Sequence, residues 1–382
     1  GNGAGTTTQG TNAIAIGHDA GSSGTQGQES VAVGYLAGQA TQGQGSIAVG
    51  PQAGKASQGN YSVAMGYQAG VNAQGDYGIA IGETAGGADQ GANSVAMGYR
   101  AAYATQGASA VAVGNLAGYQ SQGASAVAIG VAAGSNAQGV DAVAIGNLAG
   151  KASQTANSVA IGRAAGSNAQ GASAIAVGYE AGRISQGDYG IAMGINAAKN
   201  AQGTNSVAVG YSAGSASQGD NAIAMGTLAG QTSQGDYTVA IGRLAGFNAQ
   251  ATEAVAIGNS AGKVSQKTRS VAIGDLAGFN AQNHYSVAIG FTTGYQNQGA
   301  FSVAVGVEAG RANQGHQSIA LGTSASYSNQ PGASFFIGTN NMRSGQSGQA
   351  VCYNNSTGEL AYACSDDRVK DDETLITGAV KT

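Results

Sequence analysis

Charge is what this chain has least of: only 9% of its 382 residues are charged, and the formal net charge is -4. The basic residues gather in no run, so the phosphate-neutralising contacts that dominate nucleic-acid binding are missing, and nucleic acid is excluded as a main partner. Tryptophan is absent and there are two prolines. With so little proline, and with glycine not falling at every third residue, a collagen helix is excluded. No apolar run reaches the roughly 18 residues of a membrane-spanning helix, so no membrane insertion is expected. Gly1 opens without the charged-then-apolar pattern of a signal segment, and a chain opening on Gly rather than Met is expected to have lost an upstream part. The two cysteines, Cys352 and Cys364, match no metal-ligand spacing. If Asn354 to Gly358 form a hairpin loop, Cys352 faces about Leu360 rather than Cys364, which favours free thiols over a disulfide.

Chemistry-bearing constellations are equally scarce. His18, His284 and His316 sit in different repeats and share no cluster with acids or thiols. The Gly-x-Gly strings lack the strand-to-helix context of a phosphate loop, and no carboxylate pair recurs in a fixed place as glycan hydrolysis would need. No metal site, no cofactor and no substrate-directed enzyme activity are expected.

What is present is glycine, 67 residues of it, and a period. Such a composition without order would indicate disorder, but the apolar residues recur too strictly for that. Aligned on an apolar triplet, 21 copies run from Ile14 to Phe335, one residue longer in the first interval, around Gly24, and sixteen apart thereafter. A glycine follows every triplet from Gly17 to Gly338, and a glutamine recurs from Gln9 to Gln330. Triplets of the Val-Ala-Val kind read as short strands, with the Val, Ile and Met side chains on one face and the central Ala on the other. The predicted fold is all-β, a parallel β-solenoid of about 21 sixteen-residue coils, roughly 100 Å long at the usual strand spacing. Residues 1–13 make a partial first coil, 14–338 the repeats, and 339–364 a transition ending in a hairpin.

Two medium apolar side chains per coil bury too little area to offset ordering sixteen residues, so a lone rod is expected to be marginal. The smooth alanine face, Ala15 through Ala320, is expected to receive another chain, and closure of three parallel copies around an axis suggests a homotrimer. The recurring glutamines, among them Gln42, Gln58, Gln74, Gln90 and Gln106, are expected to form a structural ladder of coil-to-coil amide bonds rather than a binding surface. Aromatics run in three lines. Tyr35, Tyr67, Tyr99, Tyr179 and Tyr211 follow the triplet glycine and are the candidate receptor contacts, for a host glycan or protein; a second line precedes the triplet and a third opens the second strand. Corner packing is the simpler reading of all three lines.

The "SVAIG" and "AVAIG" motifs, Ser286 to Gly290 and Ala126 to Gly130, with "AG" a few residues on, resemble the β-roll heads of trimeric autotransporter adhesins. The longer "SVAxGxxAGxxxQG" pattern is similar to repeats in fibre proteins of bacteriophages and large DNA viruses, and the resemblance covers about Thr8 to Gly338. It implies a trimeric rod. Adhesin heads commonly use shorter, less uniform coils, so the first expectation is a structural shaft at a virion surface or tail fibre, presenting a host-attachment region. The second is a bacterial cell-surface adhesin head that binds a host surface or matrix.

Charge returns abruptly in "SDDRVKDDE", Ser365 to Glu373. This stretch resembles the opening of the intramolecular chaperone domain of phage tail spikes and endosialidases, which guides trimerisation and then cuts itself off. The resemblance implies cleavage of the Cys364-Ser365 bond, with Ser365 as nucleophile and Lys370 as its base. A lysine serves so only when burial or nearby charge depresses its pKa. Residues 365–382 are then a truncated start of that domain, and no cleavage is expected in this chain. The alternative is a solvated helix start with Ser365 as N-cap and Asp366 and Asp367 in the first turn.

Overall fold

The computed structural model describes residues 1–338 and three short strands, Val351–Asn354, Leu360–Tyr362 and Glu373–Thr374. Cys364, Ser365 and Lys370 lie outside the described residues.

All regular structure described is strand. The triplets, from Ile14–Ile16 to Phe335–Ile337, stack into one parallel sheet of 21 strands. Each pairs in register with the next coil, as Val207, Ala208 and Val209 pair with Ile223, Ala224 and Met225. A second parallel ladder, built from the segments ending in glutamine, runs from Thr41–Gln42 to Ser328–Gln330. The longer first interval keeps the triplets in register, Ile14 against Val31, and its extra residue falls in the turn near Gly24. The second ladder pays the conformational cost there, being reduced to single bridges, Gln9 with Gln26 and Gln26 with Gln42.

The coil 207–222 shows how sixteen residues close a turn. Gly210 has φ of +129, and a Cβ there would lie 2.7 Å from the carbonyl oxygen of Gly226 in the next coil. Only glycine meets both conditions, which explains its presence after every triplet. Left-handed backbone recurs at Ser212, Gly214, Ser217 and Asn221. Three of these are not glycine, so the coil carries backbone strain that its stacked neighbours must hold in place.

These tight corners bring the two sheets close together and decide which side chains fit between them. The central alanine of the triplet and the alanine of the "AG" pair point inward: Ala208 and Ala213 are fully buried, as is Ala222 before the next triplet. The first and third triplet residues point outward, where Met193 and Met225 are 44% and 41% exposed. This reverses the expected facing. The alanine face is the coil's own core, not a surface offered to another chain, because the narrow interior holds methyl groups but not Val, Ile or Met. The last triplet departs from the rule: Phe336 stands where every earlier coil has Ala, paired with Ala320. A phenyl ring in that place covers the end of the alanine core, since a further coil stacked on it would leave the ring no room.

The expected hairpin is present, Val351–Asn354 antiparallel to Leu360–Tyr362. Its register differs by one residue: Cys352 faces Ala361 and Tyr353 faces Leu360, because the return strand starts at Leu360 rather than Glu359. Glu373–Thr374 adds antiparallel to the other edge of Val351–Asn354.

The inside and outside faces predict opposite tolerances. Ala208→Leu forces three extra side-chain carbons into a closed interior and is expected to cost about 1–3 kcal/mol. Val209→Leu, on the outer face, is expected to leave the thermal unfolding midpoint of a single chain unchanged, as followed by circular dichroism.

Candidate functional site

Among the described residues, the recurring glutamine is the only large polar side chain brought systematically into the interior. Gln42, Gln58, Gln74, Gln90 and Gln106 are between 2% and 4% exposed. Each sits on the second strand, and its Nε2 donates across the coil to the backbone carbonyl of the first triplet residue: Gln42 to Val31 at 2.8 Å, Gln74 to Val63 at 2.8 Å, Gln106 to Val95 at 2.9 Å. Many reach a second carbonyl just before the next triplet, as Gln218 does with Val207 at 2.8 Å and Ala222 at 3.1 Å. The amide is therefore a brace within one coil, tying its two strands together.

The expected coil-to-coil ladder forms only in places. Gln42 donates to Gln58 Oε1 at 3.2 Å and Gln106 to Gln122 at 3.1 Å, but the Oε1 atoms of Gln74 and Gln90 have no partner. The two Nε2 hydrogens are already used within the coil, which leaves the ladder only a shared bond. Position along the sequence showed that the amides would be aligned; it did not show that carbonyls would lie nearer.

A serine often precedes the triplet, and its hydroxyl donates back to the carbonyl three residues earlier, Ser206 to Gly203 at 2.6 Å. At the corner after the second strand, an acceptor side chain caps the backbone N–H of the coil before: Thr204 N–H donates to Asp220 Oδ1 at 2.7 Å and Asp220 N–H to Asp236 Oδ1 at 3.0 Å. Sequence reasoning missed this role, although Asp recurs there at Asp76, Asp188, Asp220 and Asp236.

The outer surface carries three aromatic lines. Tyr35, Tyr67, Tyr99, Tyr179 and Tyr211 are 40% to 52% exposed and stand directly after the outward-facing triplets, so they border that apolar face. They do not stack on one another, since neighbouring coils place other residues between them, Pro51 between Tyr35 and Tyr67 and Glu83 between Tyr67 and Tyr99. The other two lines do stack: Tyr61 on Tyr77 at 5.5 Å and Tyr285 on Phe301 at 5.1 Å in one, Tyr103 on Tyr119 at 5.4 Å and Phe279 on Tyr295 at 4.9 Å in the other. Ring stacking along the rod supports the corner-packing reading for these two lines.

Charged groups pair along the surface. Glu180 accepts from Lys199 at 2.7 Å and lies 3.5 Å from Arg183; the Lys199 hydrogen bond, then the fields of both cations, hold its carboxyl below the usual range. Glu253 takes two bonds from Arg269, 2.6 and 3.1 Å, and is lowered for the same reason. A depressed carboxyl stabilises the fold above its ordinary pKa and loses that contribution as the pH falls through its lower folded value. Among the described residues, no group of His, Cys, Asp and Glu has the arrangement of a metal site.

With this geometry the family comparison is intelligible. Residues 3–20, 9–37, 42–69, 57–85, 185–213 and 201–229 match the family model described as the YadA head domain repeat (2 copies). Those segments, 3–37, 42–85 and 185–229 taken together, are thus similar to the head repeats of trimeric autotransporter adhesins. Neither a curated protein nor a solved structure matches the chain.

Removing one brace takes the amide donor from two buried carbonyls, of which Ala222 O keeps the Val207 N–H at 2.9 Å. Gln218→Leu is expected to destabilise its coil by about 1–3 kcal/mol. Hydrogen exchange read by mass spectrometry would show it as faster exchange in peptides covering 207–222, with peptides several coils away unchanged.

Proposed function

We propose that the chain is the rod of a homotrimeric, adhesin-like surface fibre, three parallel copies packing through the outward faces of their triplet sheets. On this reading the rod stands on a bacterial cell surface and holds host-contacting groups away from it. The observation that carries the proposal is the outer triplet face, where Val, Ile and Met side chains, joined by Leu321 and Phe335 in the last two strands, continue over 21 strands and stay partly open to solvent in a single chain. So long an apolar stripe is unusual for a surface that remains free. Covering it, at about 25 cal/mol per Å², adds on the order of 1 kcal/mol per coil, multiplied along the whole rod. A parallel three-fold arrangement closes the stripe on itself without leaving an open end. Tyr35, Tyr67, Tyr99, Tyr179 and Tyr211 border the stripe, and in the trimer they flank the joint between chains; at that border they serve packing first and receptor contact second.

The match to adhesin head repeats supports this reading over the virion shaft. The shaft reading draws its own support from the Ser365 to Lys370 motif following a hairpin. In a longer precursor that motif would release the C-terminal segment in two steps: the Ser365 hydroxyl attacks the Cys364 carbonyl carbon, Lys370 takes the hydroxyl proton and returns one to the departing Ser365 nitrogen, and water then hydrolyses the resulting ester between Cys364 and the Ser365 oxygen. Intact-mass measurement on the precursor separates the two readings. Trimming after Cys364 that disappears in Ser365→Ala establishes the shaft reading; an uncut precursor of both forms removes it.

Light scattering tests the assembly. The chain is expected to have three times its monomer mass, and Val209→Asp together with Met225→Asp is expected to lower that mass, whereas Asn221→Asp at an exposed corner leaves it unchanged. A monomeric wild-type chain would overturn the proposal.

A further inference from the structure

The corner that opens the second strand is set apart by charge. It holds Lys55, Lys151, Arg183, Lys199, Lys263 and Arg311, six of the eleven basic residues before Gly338, and not one acid. Acids collect instead at the corner after that strand, where Asp76, Asp188, Asp220 and Asp236 cap backbone N–H groups. Two of the six cations are paired, since Arg183 and Lys199 share the one carboxylate of Glu180. Lys55, Lys151, Lys263 and Arg311 make no ion pair with a carboxylate among the described residues, and Lys263 and Arg311 are set apart by what holds them.

Both are held by rings instead. In six successive coils this corner reads Phe247, Lys263, Phe279, Tyr295, Arg311 and Tyr327. The Lys263 ammonium lies 5.1 Å from the Phe279 ring centre, and the Arg311 guanidinium lies between Tyr295 and Tyr327, at 5.9 and 4.8 Å. Phe279 and Tyr295 stack at 4.9 Å with planes 17° apart. A ring with its faces covered by neighbours presents its edge, and the edge of an aromatic ring is the electropositive part. The column thus combines two fixed, unpaired cations, tyrosine hydroxyls and positive ring edges in one line parallel to the rod. Every contribution favours an anion, and the cations are already ordered by their ring contacts, which lowers the entropy cost of engaging one.

We propose that this column binds the carboxylate or sulfate groups of an extended acidic polysaccharide laid along the rod. The surface is linear rather than enclosed, which suits a polymer better than a small molecule. Lys263 and Arg311 are three coils apart, about 14 Å at the strand spacing, so one anion cannot bridge them and a repeating chain of anions can. Single-stranded nucleic acid is the poorer fit, because its bases need free ring faces for stacking and these faces are taken. The inference goes beyond the assembly proposed above and does not depend on it: the column borders the second ladder, across the alanine core from the triplet face.

The test is titration of the whole chain with a heparin octasaccharide, with neutral dextran and a single-stranded oligonucleotide as comparisons, at low and at physiological salt. Binding of the octasaccharide that weakens with salt is expected, with none to dextran. Lys263→Gln together with Arg311→Gln is expected to weaken it by about tenfold or more, as loss of two charge-assisted contacts implies. Lys55→Gln with Lys151→Gln, on the same corner but outside the column, is expected to leave it unchanged, and circular dichroism should show both double variants folded. No octasaccharide binding at low salt, equal loss in the two double variants, or oligonucleotide binding as tight and as sensitive to the Lys263 and Arg311 changes would each overturn the proposal.

Discussion

The whole rod depends on one hydrogen bond repeated in every coil, the glutamine amide donating across the interior to the carbonyl of the facing strand. Two strands of two or three residues have little to hold them together when their core is alanine. Methyl groups contribute little burial, and the corners carry left-handed residues that resist the fold. The amide compensates by bonding across the interior to carbonyls that water cannot reach, one of which, as at Ala222, also takes the N–H of Val207, and buried amide hydrogens without such acceptors would cost more than the bonds contribute. Each feature nearby accommodates the brace. Gly214 leaves space for the amide oxygen of Gln218, which a Cβ would approach to 2.7 Å, and the small residues before each triplet let the amide reach its second carbonyl.

The narrow interior that the brace spans also explains the outer surface. A coil whose narrow interior holds alanine methyl groups beside the bonded glutamine must put its larger apolar residues outside, so the stripe of Val, Ile and Met follows from the core rather than being added to it. A solenoid of this kind is incomplete as a single chain. Its backbone is satisfied by stacking along the rod, whereas its outer apolar stripe stays partly open to solvent, and that open stripe is what the proposed trimer would cover. The charge pattern is independent of both, because it lies on corners that neither the core nor the stripe occupies.

Much of this was legible in the sequence, for a physical reason. Stacking identical coils in register requires equal spacing, so the sixteen-residue step, the triplet strands, the second ladder and the displaced turn near Gly24 could be read directly from Ile14 to Phe335. The facing of the triplet could not. Strand alternation separates Ala208 from Val207 and Val209 but does not say which side is enclosed; that depends on how close the corners bring the sheets, which is set by backbone angles at Ser212, Ser217 and Asn221 that no residue type there announces. For the same reason the glutamines were identified as aligned and structural, while their main partners, carbonyls on the facing strand, appeared only with the coil's width. The candidate contacts at Tyr35 to Tyr211 stand directly after the outward triplets, and that closeness to the apolar stripe, which spacing alone did not give, places them at its border.

The central claim is that the glutamine amides are enclosed and bonded to backbone carbonyls, and side-chain amide hydrogen exchange in a chain labelled with 15N-glutamine tests it most directly. The account predicts a large class of glutamine Nε2 protons that exchange slowly, with protection comparable to the backbone amides of the strands. Exchange of all glutamine side chains at the rate of exposed amides would contradict it, since the brace, the alanine core and the outward apolar face would then fail together.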